Sequence, residues 1–201
     1  MPPPTPASNL KAILWMTGAA VSFTVLVVAV RELSGSLPTA EILFLRSAFA
    51  VALMLPWLWR AGWRAALPRR PAPHALRCLS TFTAMMLWFW AIGITPLADA
   101  VAIQSTYPLF TIVLATLFLG ERPAPMRWAA TAVGFGGMLI IVRPGVIEIG
   151  PATLMLLAAA VCYALSNSIV KWMSSTEPAN RMVFLQNAGL ALLAAAPAAY
   201  D

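Results

Sequence analysis

One positive charge falls where a charge is expensive. Arg46 lies roughly two turns into the apolar run that opens at Pro38,. Its long side chain can snorkel to the nearer interface or pair with Asp99 or Glu41, which fall at similar depth. The other reading is a fixed cation that holds an anionic group or locks a gate. A second group is Gln104, Ser105, Thr106 and Tyr107, followed by Pro108, in the middle of the apolar run 96–119. Pro108 has no N–H and crowds the carbonyl four residues back, that of Gln104. A freed carbonyl in hydrocarbon is costly unless it faces protein or a wet cavity. Four consecutive polar residues cover every face of one helical turn, so at least one should point inward. The pattern predicts a cavity wall, with interhelical bonding around a tolerated kink as the alternative. Tyr163 and Asn167 share a helix face at i, i+4, beside Ser166 and Ser168,. Trp88, with Phe89 and Trp90, can stack on a planar molecule or pack against core and lipid.

Other chemistries find no support. Neither paired acids, a Ser/His arrangement nor metal ligands occur within the apolar runs, so an enzyme is not expected. Cys78 and Cys162 both fall inside such runs and suggest neither a disulfide framework nor a metal site,. No cofactor is expected. His74, the sole histidine, falls in a Pro/Arg-rich stretch that reads as a solvated loop.

The elements that position these residues follow from composition. Hydrophobic residues make up 61% of the chain and charged ones 10%, and the mean hydropathy is +0.82. Such a chain cannot cover a soluble core with polar surface, and reads as an all-α polytopic membrane protein with the lipid bilayer as its solvent. Seven spans are expected, at 11–30, 40–59, 77–94, 96–119, 127–143, 151–172 and 181–199. The stretch 96–122 is central: Thr95 is placed to cap a helix starting at Pro96, and Gly120 with Pro123 stops it. Residues 1–10 read as a disordered tail. Gly134, Gly136 and Gly137 in the short fifth span suggest close helix packing.

With the N-terminus inside, the cytoplasmic side receives Lys11, Arg60, Arg64, Arg69, Arg70, Arg77, Arg122, Arg127, Lys171 and Arg181, against Arg31 and Arg143 outside,. The basic pI of 10.2 therefore reports topology, not nucleic acid. Most tryptophans agree, standing near the cytoplasmic ends as interfacial anchors.

Shifting residues 13–56 by 140 overlays them on 153–196 without a gap, with eleven identities in 44 positions. Pro38 and Pro178 both open a span, and Arg31 meets Lys171. The pattern restarts after five crossings, an odd number, so the second copy is upside down relative to the first. That is the trace of an inverted-repeat transporter. Gln186 and Asn187 occupy the positions that correspond to Arg46 and Ser47, which makes them cavity candidates too.

Several segments together resemble the drug/metabolite transporter (DMT) superfamily, in its EamA-type bacterial branch. They are Pro38-Thr39-Ala40-Glu41 through Arg46, Pro96-Leu97-Ala98-Asp99-Ala100, Tyr107-Pro108-Leu109-Phe110, Leu119-Gly120-Glu121-Arg122, and the glycine-rich fifth span ending Val142-Arg143-Pro144-Gly145. The resemblance implies ten helices in two inverted five-helix repeats, cytoplasmic termini and a central cavity worked by alternating access. On that plan 11–143 is the first repeat and 151–201 the start of a second, with about seven of ten helices present and the C-terminal three lacking. The expected function is movement of a small metabolite (an amino acid, nucleoside, vitamin or similar) across the bacterial inner membrane. The alternative is a truncated, non-transporting membrane module that packs with a partner or with itself as a homodimer. The substrate-cavity candidates are Arg46, Trp88, Gln104, Ser105, Thr106, Tyr107, Pro108, Tyr163, Asn167 and Gln186. No carboxylate is expected at mid-membrane, so coupling falls to a residue elsewhere, to exchange or to facilitated diffusion.

Overall fold

A computed structural model describes residues 6–119, 125–142 and 150–198. Helices account for nearly all of them: α1 (Pro6–Leu33), α2 (Thr39–Ala61), α3 (Pro71–Ile94), α4 (Leu97–Gln104), α5 (Tyr107–Leu119), α6 (Pro125–Val142), α7 (Pro151–Met173) and α8 (Ala179–Ala198). Five stretches are long and apolar enough to cross a membrane, the fourth being α4 and α5 taken together,. The chain is an all-α, multi-pass membrane protein.

Proline sets several of the boundaries. Pro6, Pro71, Pro125 and Pro151 each occupy a first helical position, where a missing N–H costs nothing,. Two helices consequently start earlier than the apolar pattern suggests, α1 at Pro6 rather than 11 and α3 at Pro71 rather than 77. His74 is thereby drawn out of the expected solvated loop into the first turns of α3, where it is buried. Thr95 is not an N-cap. It closes α3, donating its N–H to the Ala91 carbonyl at 3.0 Å, and Pro96 precedes α4 without a side-chain cap. The Gly120 and Pro123 stop signal lies outside the described residues.

α3 and α7 form the centre and pack most extensively on each other; α8 lies against α2 and α3, and α5 against α7. Small residues permit this closeness. Ala84, Ala91, Ala159, Ala160, Ala164 and Ala194 are wholly buried, and a Cβ added at Gly189 would stand 2.6 Å from Cys78 Sγ,. Thr81 and Ser166 join α3 to α7 through a hydroxyl pair at 2.7 Å. The glycines of α6 do not behave as expected: a Cβ at Gly134, Gly136 or Gly137 would meet nothing within 4 Å among the described residues.

The 140-residue offset reappears as geometry. In the turn between α1 and α2, Ser34 N–H bonds Val30 O (2.9 Å), Ser36 N–H bonds Leu33 O (3.0 Å) and Leu37 N–H bonds Leu33 O (2.9 Å). In the turn between α7 and α8, Ser174 bonds Val170 (2.8 Å), Thr176 bonds Met173 (2.9 Å) and Glu177 bonds Met173 (2.9 Å). Side chains repeat as well, with Ser34 Oγ on Arg31 O and Ser174 Oγ on Lys171 O, both at 2.7 Å. The two turns stand at opposite ends of α3. The first adjoins its C-terminus, where the Arg31 guanidinium donates to the carbonyls of Ile92 and Thr95. The second adjoins its N-terminus through Glu177.

Glu177 is no open loop residue. Its carboxylate is fully buried, accepting the Arg69 backbone N–H at 2.9 Å and the Arg181 guanidinium at 2.8 Å, with His74 Nε2 3.8 Å away. Arg181 in turn donates through Nε to Ala65 O at 2.7 Å, and Arg77 donates to Met182 O at 2.9 Å. The segment between α2 and α3 is thus clamped to the turn between α7 and α8. Burial pushes the Glu177 carboxyl up, but the bonds from Arg181 and Arg69 outweigh it and hold the group below the usual carboxylate range,.

Candidate functional site

The rod expected over 96–119 is two helices. α4 ends at Gln104 and α5 begins at Tyr107, with Ser105 and Thr106 forming the turn between. Local hydrogen bonds close it. Ser105 N–H reaches Val101 and Ala102, Thr106 N–H reaches Ile103 at 3.0 Å, and Leu109 N–H reaches Thr106 at 2.9 Å. The hydroxyls finish the work, Ser105 Oγ on Val101 O at 2.8 Å and Thr106 Oγ1 on Ile103 O at 2.7 Å. Pro108, unable to give an N–H to Gln104, sits at the second position of α5 and forces the break instead of merely bending one helix.

The break faces a cavity of about 420 Å³ enclosed by α1, α2, α3, α4, α5 and α7. Phe23, Leu26 and Val27 supply the α1 side; Met85, Trp88 and Phe89 come from one face of α3 at i, i+3 and i+4,. Arg46 enters from α2, and Val101, Gln104, Ser105 and Tyr107 from the broken helix. Tyr163 and Asn167 enter from α7, on the shared face that their spacing requires.

Seven of the ten candidates therefore meet in one place: Arg46, Trp88, Gln104, Ser105, Tyr107, Tyr163 and Asn167. Three do not. Thr106 is 2% exposed and turned back on its own turn. Pro108 lines a smaller hollow of about 260 Å³ against α6, with Ser105, Thr131 and Gly134. Gln186 is buried in α8, which contributes nothing to the cavity, because α8 packs on α2 and α3. Sequence reasoning passed over Phe23 and Met85, whose apolar types carry no signal apart from their neighbours. Trp90 points outward, 42% exposed, while its neighbours Trp88 and Phe89 are buried.

Arg46 pairs with neither Asp99 nor Glu41. Its guanidinium lies 3.4 Å from Met85 Sδ, and among the described residues no carboxylate forms an ion pair with it. Gln104 Oε1 is buried and without a hydrogen-bond partner. Among the described residues the lining thus offers one cation, the amides of Gln104 and Asn167, hydroxyls and several aromatic faces. No group of three or more His, Cys, Asp or Glu among the described residues is placed to hold a metal.

A bundle of apolar helices, one broken at a largely apolar cavity that carries a few polar groups, has the architecture of a membrane carrier. The chain belongs to the EamA-like transporter family, whose model matches residues 10–143. It is 35% identical over 198 residues to a riboflavin transporter of Rhizobium johnstonii, covering 94% of this chain and 66% of the relative. An S-adenosylmethionine uptake transporter of Rickettsia prowazekii is 31% identical over 175 residues, covering 87% of this chain and 60% of the relative. The pseudopaline exporter CntI of Pseudomonas aeruginosa is 37% identical over 125 residues, covering 61% of this chain and 43% of the relative. The chain thus spans from under half to about two-thirds of the length of these relatives. No solved structure matches.

Proposed function

We propose that the protein moves a small metabolite across the bacterial inner membrane by alternating access, with the substrate bound in the cavity at the α4–α5 break. One observation carries this reading: residues from four separate stretches of sequence, chosen for their chemistry, converge on a single cavity of about 420 Å³. That volume lies within the range of sites for small organic ligands, roughly 300–1,000 Å³. The reading also fits the relatives, which are named as transporters of riboflavin, S-adenosylmethionine and pseudopaline. On this reading 11–143 forms one repeat and 151–201 opens an inverted second one. Two turns of one conformation at opposite ends of α3 support that inversion. The positive residues gathered near the N-terminal end of α3 support a cytoplasmic N-terminus.

The test is reconstitution. The full chain in liposomes is screened for saturable uptake of riboflavin, S-adenosylmethionine, amino acids and nucleosides. Saturable uptake of at least one compound, lost in Arg46→Ala at unchanged expression, is expected. Uptake of none would overturn the transport reading, and wild-type uptake by Arg46→Ala would remove Arg46 from the mechanism.

A further inference from the structure

Taking the cavity to be the binding site, as proposed above, we infer that its occupant is a small planar compound bearing one anionic group, with the anion seated on Arg46 and the ring against Trp88 and Phe89.

The charge balance of the lining points to the anion. Among the described residues Arg46 is its one formally charged lining group, and neither Asp nor Glu is among those that enclose the space. The contact made by the guanidinium, Met85 Sδ at 3.4 Å, is to a weak acceptor that carries no charge,. A guanidinium held among apolar groups without a counter-charge is costly, and the cost is relieved by a carboxylate or phosphate that accepts two parallel N–H bonds. A cationic compound would meet repulsion at the same point.

The shape of the lining points to the ring. Trp88 and Phe89 are 2% and 3% exposed and held in place by the core of α3, so they form a fixed flat wall. Phe23 and Tyr163 add aromatic surface from α1 and α7. Aromatic faces in such an arrangement favour an offset-stacked or edge-to-face planar guest. Gln104 Oε1, buried and unpaired, adds an acceptor for an N–H or O–H of that guest,.

Calorimetric titration of the purified full chain in neutral detergent tests this with four probes: 2-naphthoate, 2-naphthamide, 2-naphthylmethylammonium and acetate. Naphthoate should bind at least about tenfold more tightly than naphthamide, and more tightly still than the ammonium compound or acetate. Arg46→Gln should bring naphthoate down to the naphthamide level while leaving naphthamide binding in place. Arg46→Lys, which keeps the charge but loses the fork, should retain part of the preference. Equal binding of naphthoate and naphthamide by the wild type overturns the charge assignment and leaves the cavity as a site. So does a preference that survives Arg46→Gln. Acetate binding as tightly as naphthoate overturns the ring. If no naphthalene probe binds, the planar-anion assignment is overturned, while the uptake screen separately decides the transport reading. Should Arg46→Gln not fold, the wild-type probe series and Arg46→Lys decide.

Discussion

Glu177 shows how far a single residue departs from what its neighbours in sequence suggest. It stands in a short turn, yet its carboxylate is enclosed by Arg69 and His74, more than a hundred positions away, together with Arg181 four positions on. Removing one partner of a buried pair strands the other, which costs about 3 kcal/mol or more. Glu177→Gln is therefore expected to lower the thermal midpoint in detergent at neutral pH. The sign with pH follows from the lowered carboxyl. A group whose folded-state pKa lies below its unfolded value adds stability above that unfolded value. The contribution is lost as pH falls through the folded one. The midpoint gap between wild type and Glu177→Gln should accordingly narrow on acidification from neutrality to below the ordinary glutamate range. A gap that stays constant would show that the clamp is steric. The i, i+4 spacing of Glu177 and Arg181 was legible in sequence,, but Arg69 and His74 were not, since only folding brings them to Glu177.

At the scale of the element, the break between α4 and α5 was half legible. A proline after four polar residues announces a disturbed helix, but not whether it bends or parts. Pro108 parts it, and Ser105 and Thr106 close the resulting turn with hydroxyls on carbonyls of the preceding turn,. The same hydroxyl bond takes Thr106 out of the cavity, which no count of helix faces could foretell. Tyr163 and Asn167 were legible because α7 is unbroken there and i, i+4 spacing holds,. Gln186 was misplaced because correspondence between repeats transfers a position along a helix and not the face it presents. Pro108→Ala restores an N–H and a preference for continuous helix. It should raise helical content, keep or raise the thermal midpoint and reduce uptake, as seen by circular dichroism and liposome assay; unchanged uptake would show that the break is incidental. α3 and α8 make the opposite case, a contact with no slack. Gly189→Leu would drive a side chain into Cys78 and should destabilise by about 1–3 kcal/mol, read as a lowered midpoint of thermal unfolding.

The whole molecule has two ends, and α3 marks both. One gathers Arg69, Arg70, Arg77, Lys171 and Arg181; the other holds Arg31 and the turn 34–38. Charge bias assigns the first to the cytoplasm, so a tag in 64–68 should be reached by reagents only after the inner membrane is permeabilised. Labelling in intact spheroplasts would invert that assignment. Hydropathy made the all-helical membrane architecture legible, and the 140-residue offset anticipated the matched turns. The packing of α8 on α2 was not legible, because in a chain this apolar nearly every helix face could be a contact. One substitution between the matched turns carries a consequence. Where the first has Leu37, packed on the core, the second has Glu177 in its cage of donors. One turn is thus held by apolar packing and the other by a buried charge. Acid would therefore loosen the Glu177 turn alone, since Leu37 offers nothing to protonate,.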